Sequence, residues 1–267
     1  MLIDLLINSE LIARVVDDLV NARKTHRPAK NVTALIPDIS VNQAYEIQLE
    51  LLKNIKSDED PVVGGKIGLS SKANQEKFGI SEPIFGHLTA SMIIPEGDPI
   101  SMSTLFRPVV EPEICFLLSR DLTGPGVNSG TVISATEGVM PAIEIADNRF
   151  ENASSRAEDN VSDNSGASLV VLGGMVSPLA GMDLRLIGMV LEENGEVIST
   201  GAGAAVLGNP SHAVASLANK LSLFGMGLKA GDIVISGTPV AAVPARTGAF
   251  FRTTFDRIGS VSVRFTE

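Results

Sequence analysis

The chain has 267 residues, 44% of them hydrophobic, with 21 basic and 31 acidic side chains and a formal net charge of −10. That is ample apolar material for a sizeable core, either one large domain or a domain with an extension. The sign of the charge and the lack of any dense Lys/Arg block exclude a phosphate-backbone binder, and with no Trp and one Tyr the chain has few platforms for stacking bases.

Residues 3–23 place Leu5, Leu6, Ile12, Val15, Val16, Leu19 and Val20 at helical spacing, with Ser9-Glu10 as a break or cap. Residues 24–40, rich in prolines and charges, read as a loop, and His26 within it as a surface histidine. Ser40 or Asn42 can cap a second helix through about Ile55, with Ala44, Ile47, Leu51 and Leu52 inward. From Val62 the pattern changes to short β-like runs punctuated by glycine and proline. The predicted strands are Val62–Gly68, Ile93–Pro95, Val109–Leu118, Met140–Ile145 and Leu169–Gly173, then Leu186–Glu192, Val197–Gly201, Ile233–Gly237 and Val261–Phe265. A short helix is expected near Ser71–Phe78. A clear one runs from His212 to Phe224, behind Asn209-Pro-Ser211 and closed by Gly225 and Gly227. No segment approaches the roughly 20 apolar residues of a membrane span. The N-terminus lacks the features of a signal peptide, and the single cysteine, Cys115, allows no internal disulfide. The expectation is α+β: a helical N-terminal region, residues 1–60, and a strand-rich catalytic body, residues 61–267, in a soluble cytoplasmic protein that binds neither nucleic acid nor membrane.

The strongest chemical signal lies in Arg107-Pro-Val-Val-Glu-Pro-Glu-Ile-Cys-Phe-Leu-Leu118. In a strand, the period of two puts Glu111 and Glu113 on one face. Adjacent carboxylates on a half-buried strand repel each other and are costly to desolvate, and a cation between them resolves both problems. Solvent exposure is the other resolution, and for a bare Glu-x-Glu it is the commoner. A third acid reverses the balance: Glu144 stands between Ile143 and Ile145, where a second buried strand is expected. Three oxygen ligands without nitrogen or sulfur point to Mg²⁺ or Mn²⁺ rather than zinc, with positions left for substrate oxygens. Asp147 beyond that strand and Asp163 are either supports for such a site or turn-formers.

Lys66 sits in Gly64-Gly-Lys-Ile-Gly-Leu-Ser-Ser71, where it can neutralise an anionic substrate, polarise a carbonyl, or simply snorkel to solvent. The turns Ser162-Asp-Asn-Ser-Gly166 and Ser236-Gly-Thr-Pro239 offer N–H and hydroxyl donors for a carboxylate. His87 is either a proton carrier within reach of the site or structural. His212 reads as part of a helix start, and Cys115 as buried filler.

Together these segments resemble the fumarylacetoacetate hydrolase superfamily, above all its branch of 2-oxopent-4-enoate hydratases and 4-oxalocrotonate (2-oxo-3-hexenedioate) decarboxylases. The likeness is carried by Gly65-Lys-Ile-Gly-Leu-Ser-Ser-Lys72, Pro83-Ile-Phe-Gly-His-Leu88, Val110-Glu-Pro-Glu-Ile-Cys-Phe116 and Pro141-Ala-Ile-Glu-Ile-Ala-Asp-Asn-Arg149. Ser162-Asp-Asn164, Gly201-Ala-Gly-Ala-Ala-Val-Leu-Gly208 and Ile258-Gly-Ser-Val-Ser-Val-Arg-Phe265 follow in family order. The resemblance implies a mixed β-roll body and Glu111, Glu113 and Glu144 as Mg²⁺ or Mn²⁺ ligands. It also implies Lys66 as an active-site cation, and loops lining the substrate from which Ser165 and Thr238 are the candidate carboxylate contacts.

The implied chemistry is a lyase reaction on a short unsaturated 2-oxo acid from meta-cleavage degradation of aromatic compounds. The preferred reading is decarboxylation of 2-oxo-3-hexenedioate to 2-hydroxypenta-2,4-dienoate; hydration of that dienoate is the alternative. Pro83-Ile84-Phe85-Gly86 resembles the decarboxylases' Pro-Ile-Tyr-Gly more than the hydratases' Pro-Asp-Phe/Tyr-Gly, whereas Lys66–Gln75 has a hydratase flavour. Hydration moves protons at two carbons and profits from a positioned acid; decarboxylation needs mainly an electron sink, and an apolar Ile84 disfavours the distal carboxylate over its uncharged product. By the same resemblance the protein is a homo-oligomer, and a decarboxylase of this type can associate with a partner hydratase. A catalytically inactive binding homologue is a further class of reading, disfavoured by the intact trio of acids.

Overall fold

The computed structural model of the protein describes residues 9–153 and 156–267. Its first element, α1 (Ser9–Thr25), buries Val15, Val16, Leu19 and Ala22 at helical spacing; Leu5 and Leu6 of the expected stripe lie outside the described residues. The segment expected as loop carries one helical turn, α2 (Val32–Leu35), held because Asp159 accepts the Thr33 backbone N–H and hydroxyl, each at 2.8 Å. α3 (Val41–Ile55) opens on a capping box in which Ser40 and Gln43 satisfy each other's backbone. Its fully buried Ile47 and Leu51 each contribute about 1.5–3 kcal/mol of burial.

The body follows as β1 (Val62–Gly68), α4 (Lys72–Lys77), β2 (Ile84–Thr89), β3 (Ile93–Ile94), β4 (Pro99–Ser101) and β5 (Val109–Leu118). Then come α5 (Ser129–Ala135), β6 (Thr136–Ala146), α6 (Ala157–Ser162), β7 (Leu169–Leu172), β8 (Gly188–Glu193) and β9 (Glu196–Ala202). The chain closes with α7 (Pro210–Ser222), β10 (Ile233–Ile235), β11 (Val243–Pro244), β12 (Phe250–Phe255) and β13 (Gly259–Thr266). Asn209 caps α7 by accepting the Ser211 N–H, with Pro210 in the first turn.

The strands form two sheets. One runs β2-β1-β10-β5-β6-β7-β3, with β11 also pairing with β5; the other runs β4-β13-β12-β8-β9. β12 and β13 alternate, turning Phe251, Thr253, Phe255, Val261, Val263 and Phe265 inward, and they pack against β6 and β7. α3 covers the β2 end of the larger sheet: the Gln48 amide donates to the carbonyls of Phe85 and Val161 at 2.9 and 2.8 Å, and Tyr45 stacks on Phe85. This mixed α+β architecture of curled sheets places β5 and β6 at the centre of the larger sheet, and the three acids on one face of them. Among the described residues no helix is long and apolar enough to cross a membrane.

Candidate metal centre

Antiparallel pairing sets Glu111 of β5 directly opposite Glu144 of β6, and Glu113 follows two residues on. One carboxylate oxygen from each of the three lies within 4.8 Å of the others. Glu113 and Glu144 are fully buried and Glu111 is partly so. Burial first, and repulsion from Glu144 second, push Glu111 up to about 7; the same causes, with Glu111 added, hold Glu113 well above the ordinary carboxylate range. One Glu113 oxygen accepts the Gly237 backbone N–H at 2.6 Å, while its other oxygen and Glu144 Oε2 have no hydrogen-bond donor. Buried carboxylate oxygens without donors are costly on their own. Three such acids brought to one spot match the all-oxygen, anionic surroundings of a hard divalent cation, so the residues present fit such an ion.

Lys66 projects from β1 into the same space. Its Nζ stands 3.1 Å from Glu144 Oε1 and donates to the Ser165 carbonyl at 3.0 Å. Burial alone would lower its pKa, but attraction to Glu144, Glu111 and Glu113 outweighs that and leaves it raised, so the buried amine stays an ammonium. Ile84 of β2 pairs opposite Gly68, on the face that Lys66 occupies. A Cβ at Gly68 would lie 3.2 Å from Ile84 Cγ1 and 3.5 Å from Lys66 Nζ. Glycine there keeps room beside the ammonium, and Ile84 forms an apolar wall next to it.

Ser165 has a different geometry from the substrate contact expected of it: its hydroxyl donates to the Phe85 carbonyl at 2.5 Å, and its own carbonyl receives Lys66. Thr238 is half-buried, with its hydroxyl accepting the Val240 N–H at 3.4 Å, and it follows the Gly237 that holds Glu113. Asp147 accepts the N–H groups of Phe106 and Arg107 at 2.8 and 2.7 Å, fixing the chain as it enters β5. Asp163 accepts the Arg149 N–H at 2.9 Å and the Arg23 guanidinium at 2.5 Å. Both acids brace backbone. His87 lies on the other face of β2 from Ile84 and Gly86, packed edge-on to Phe85, and does not reach the acids. Burial pushes the Cys115 thiol up and leaves it an inert core group.

Two further residues matter that sequence reasoning did not single out. Gly237 has φ +98°, and a Cβ there would fall 2.2 Å from Ser70 Oγ, so only glycine presents its N–H to Glu113. Asn164 exchanges two hydrogen bonds of 2.8 Å with the backbone of His87, clamping the 162–166 loop to β2. The signal for both was present, as polar glycine-bearing turns, but not which atom would be used.

The family model of the fumarylacetoacetate (FAA) hydrolase C-terminal domain matches residues 64–266. A 4-oxalocrotonate decarboxylase of Pseudomonas sp. (strain CF600) is 36% identical over 254 residues, covering 95% of this chain and 96% of its own. A 2-hydroxypent-2,4-dienoate hydratase of Pseudomonas putida is 41% identical over 217 residues, covering 81% of this chain and 98% of its own. Among solved structures, the 4-oxalocrotonate decarboxylase from Pseudomonas putida G7, complexed with magnesium and adipate, superposes with a TM-score of 0.93 at 35% identity, over 97% of this chain and 98% of that one.

Proposed function

The chain belongs to the fumarylacetoacetate hydrolase family, and from that footing we propose that it is a divalent-metal-dependent carboxy-lyase converting 2-oxo-3-hexenedioate to 2-hydroxypenta-2,4-dienoate. The observation that carries the reading is the convergence of Glu111, Glu113 and Glu144, with one oxygen of Glu113 and one of Glu144 left without a donor, beside the buried ammonium of Lys66. These three acids are the proposed ligands of Mg²⁺ or Mn²⁺; the magnesium in the similar decarboxylase supports the first. The adipate in that structure is a saturated six-carbon diacid, the carbon skeleton of the proposed substrate.

When bound, such an ion supplies a Lewis acid to the 1-carboxylate and 2-oxo oxygens of the substrate. The chain's own residues do the rest. Lys66, held between Glu144 and the Ser165 carbonyl, places a fixed positive charge where negative charge develops on the substrate. As the C5–C6 bond breaks and CO₂ leaves, the electron pair passes through the C3–C4 double bond to the 2-oxo oxygen, which gains a proton to become the 2-hydroxyl. Ile84 gives the site an apolar wall without a proton donor, and raises the ionised distal carboxylate relative to neutral CO₂. Thr238 is the proposed contact for a substrate carboxylate; Ser165 acts through its carbonyl on Lys66.

Hydration of the dienoate is the second reading, favoured by the 41% identity to a hydratase. Both are lyase chemistries of the same centre. Ultraviolet assays on both substrates with Mg²⁺ or Mn²⁺ decide: CO₂ release from 2-oxo-3-hexenedioate with slow loss of the dienoate is the expected result, and rapid dienoate consumption without CO₂ release overturns it. Ile84→Asp is expected to lower decarboxylation and raise dienoate hydration. A broken acid cluster would favour an inactive homologue, and here the cluster is intact. We further propose a homo-oligomer, for which the exposed Val197 and Ile198 of edge strand β9 supply apolar surface, and a pathway setting in aromatic degradation beside a partner hydratase; light scattering tests the first.

A further inference from the structure

A cavity of about 420 Å³ lies on the opposite side of β1 and β2 from the metal centre, between the sheet and the C-terminal ends of α3 and α7. It falls within the roughly 300–1,000 Å³ of small-molecule pockets. Its walls include Gly65, His87, Leu217, Leu221 and Met226, with Lys56 at its edge. The placement follows from strand alternation. Lys66 and Ile84 face the carboxylates, whereas Gly65, paired with His87, faces α7, where a Cβ on it would come 2.9 Å from Leu217 Cδ2.

The polar groups around the cavity differ in what they leave unmatched. His87 is 6% exposed, and its Nε2 is buried with no hydrogen-bond partner. Burial, and after it repulsion from Lys56, lowers its pKa to about 4, so near neutral pH the ring is uncharged, and its enclosed Nε2 is not presented to the cavity. The charges around the opening are not equivalent. Lys229 is paired with Asp121 at 2.9 Å, and Asp232 accepts the Lys229 backbone N–H at 2.7 Å. Lys56 is exposed and has no ion-pair partner among the described residues. The cavity therefore joins an apolar wall to one rim cation without an ion-pair partner, Lys56, with the Asp232 carboxylate at the same opening held by a backbone N–H.

We propose that this cavity is a second binding site, separate from the metal centre, for a small carboxylic acid with an apolar body. The body lies against Leu217, Leu221 and Met226, and the carboxylate meets Lys56. The ligand would rest on Gly65, the residue before Lys66 in β1, but without access to the three acids.

Benzoate is the probe, measured by equilibrium dialysis and saturation-transfer NMR on the Mg²⁺-loaded protein with oxalate saturating the metal centre. Benzoate is expected to bind in the presence of oxalate. Lys56→Met and Met226→Trp, the first removing the cation and the second filling the cavity from a half-buried loop, are each expected to weaken it by about tenfold, ~1.4 kcal/mol. Benzyl alcohol, the same body without the carboxylate, is expected to bind wild type and Lys56→Met equally. Displacement of benzoate by oxalate, or unchanged benzoate affinity in both variants, overturns the proposal.

Discussion

Glu144 faces Glu111 across the strand pair, approaches Lys66 through Oε1, and keeps Oε2 free of hydrogen-bond donors. In the metal-free protein this is a cluster of repelling charges relieved by one ammonium and by retained protons. Replacing Glu144 by Gln removes the repulsion and one proposed ligand together. The expected outcome is a metal-free protein as stable as wild type or more so, with metal affinity reduced beyond the roughly 10–100-fold that outer supports of a metal cost; thermal unfolding with and without Mg²⁺ or Mn²⁺ measures both. The proton balance gives a second expectation. Glu111 is pushed to about 7 from an ordinary 4.5, so between those values the folded, metal-free chain holds a proton that the unfolded chain has lost. Raising pH through that window therefore weakens the metal-free fold, and the same proton competes with the cation. The stabilisation conferred by Mg²⁺ should grow as pH rises through about 7 and be small at pH 5. Lys66→Met separates binding from turnover: losing the fixed cation should lower kcat/KM by about 100–1,000-fold, ~2.7–4 kcal/mol, while metal-induced stabilisation persists.

Strand β5 explains how two acids and a proline share one central element. β10 pairs with Cys115–Leu117 and β11 with Val109 and Val110, so Glu111–Glu113, with Pro112 between the acids, lie where β5 has no strand on that flank. A proline is tolerated at such an interruption. The segment 236–242 that joins β10 to β11 passes there instead and supplies the Gly237 N–H to Glu113. Gly237→Ala is expected to destabilise the protein by about 1–3 kcal/mol, because φ +98° and Ser70 Oγ at 2.2 Å leave no place for a methyl group. It should also loosen metal binding, both read from Mg²⁺-dependent melting curves. The three acids, Lys66 and most strands were legible because period-two alternation and β-branched runs report directly on which side chains share a face. β2 was not, since a fully buried strand containing Gly86 and His87 shows no alternation, and α5 and α6 are too short for a helical period to register. Phe250–Phe255 does alternate, yet lies outside the predicted strands. The 162–166 loop was legible as a polar turn but not as three successive left-handed residues, Asn164, Ser165 and Gly166. That backbone depends on Asn164 gripping His87 from far away in sequence, and composition does not report such a partner.

At the scale of the molecule, α1 and the strand-rich body meet at the same loop. Arg23 of α1 reaches Asp163 at 2.5 Å, and Asp163 in turn holds the Arg149 N–H and lies 3.5 Å from its guanidinium. Burial brings Arg23 down to about 10, against the pull of Asp163, so it remains charged near neutral pH. Two residues beyond Asp163, the Ser165 carbonyl anchors Lys66. The first helix is thus linked to the buried ammonium of Lys66 through one ion pair and one turn of backbone. Arg23→Met leaves the buried Asp163 with Arg149 alone and is expected to destabilise the protein by about 1–3 kcal/mol. Metal-induced stabilisation should be unchanged, while kcat falls several-fold as the loop that holds Lys66 relaxes. A double-mutant cycle of Arg23→Met with Asp163→Asn should give a coupling energy above ~0.5 kcal/mol, as residues in one network do, and unfolding should remain a single transition. A coupling near zero, or separate melting of a helical unit ahead of the body, would show that the first helix does not support the site.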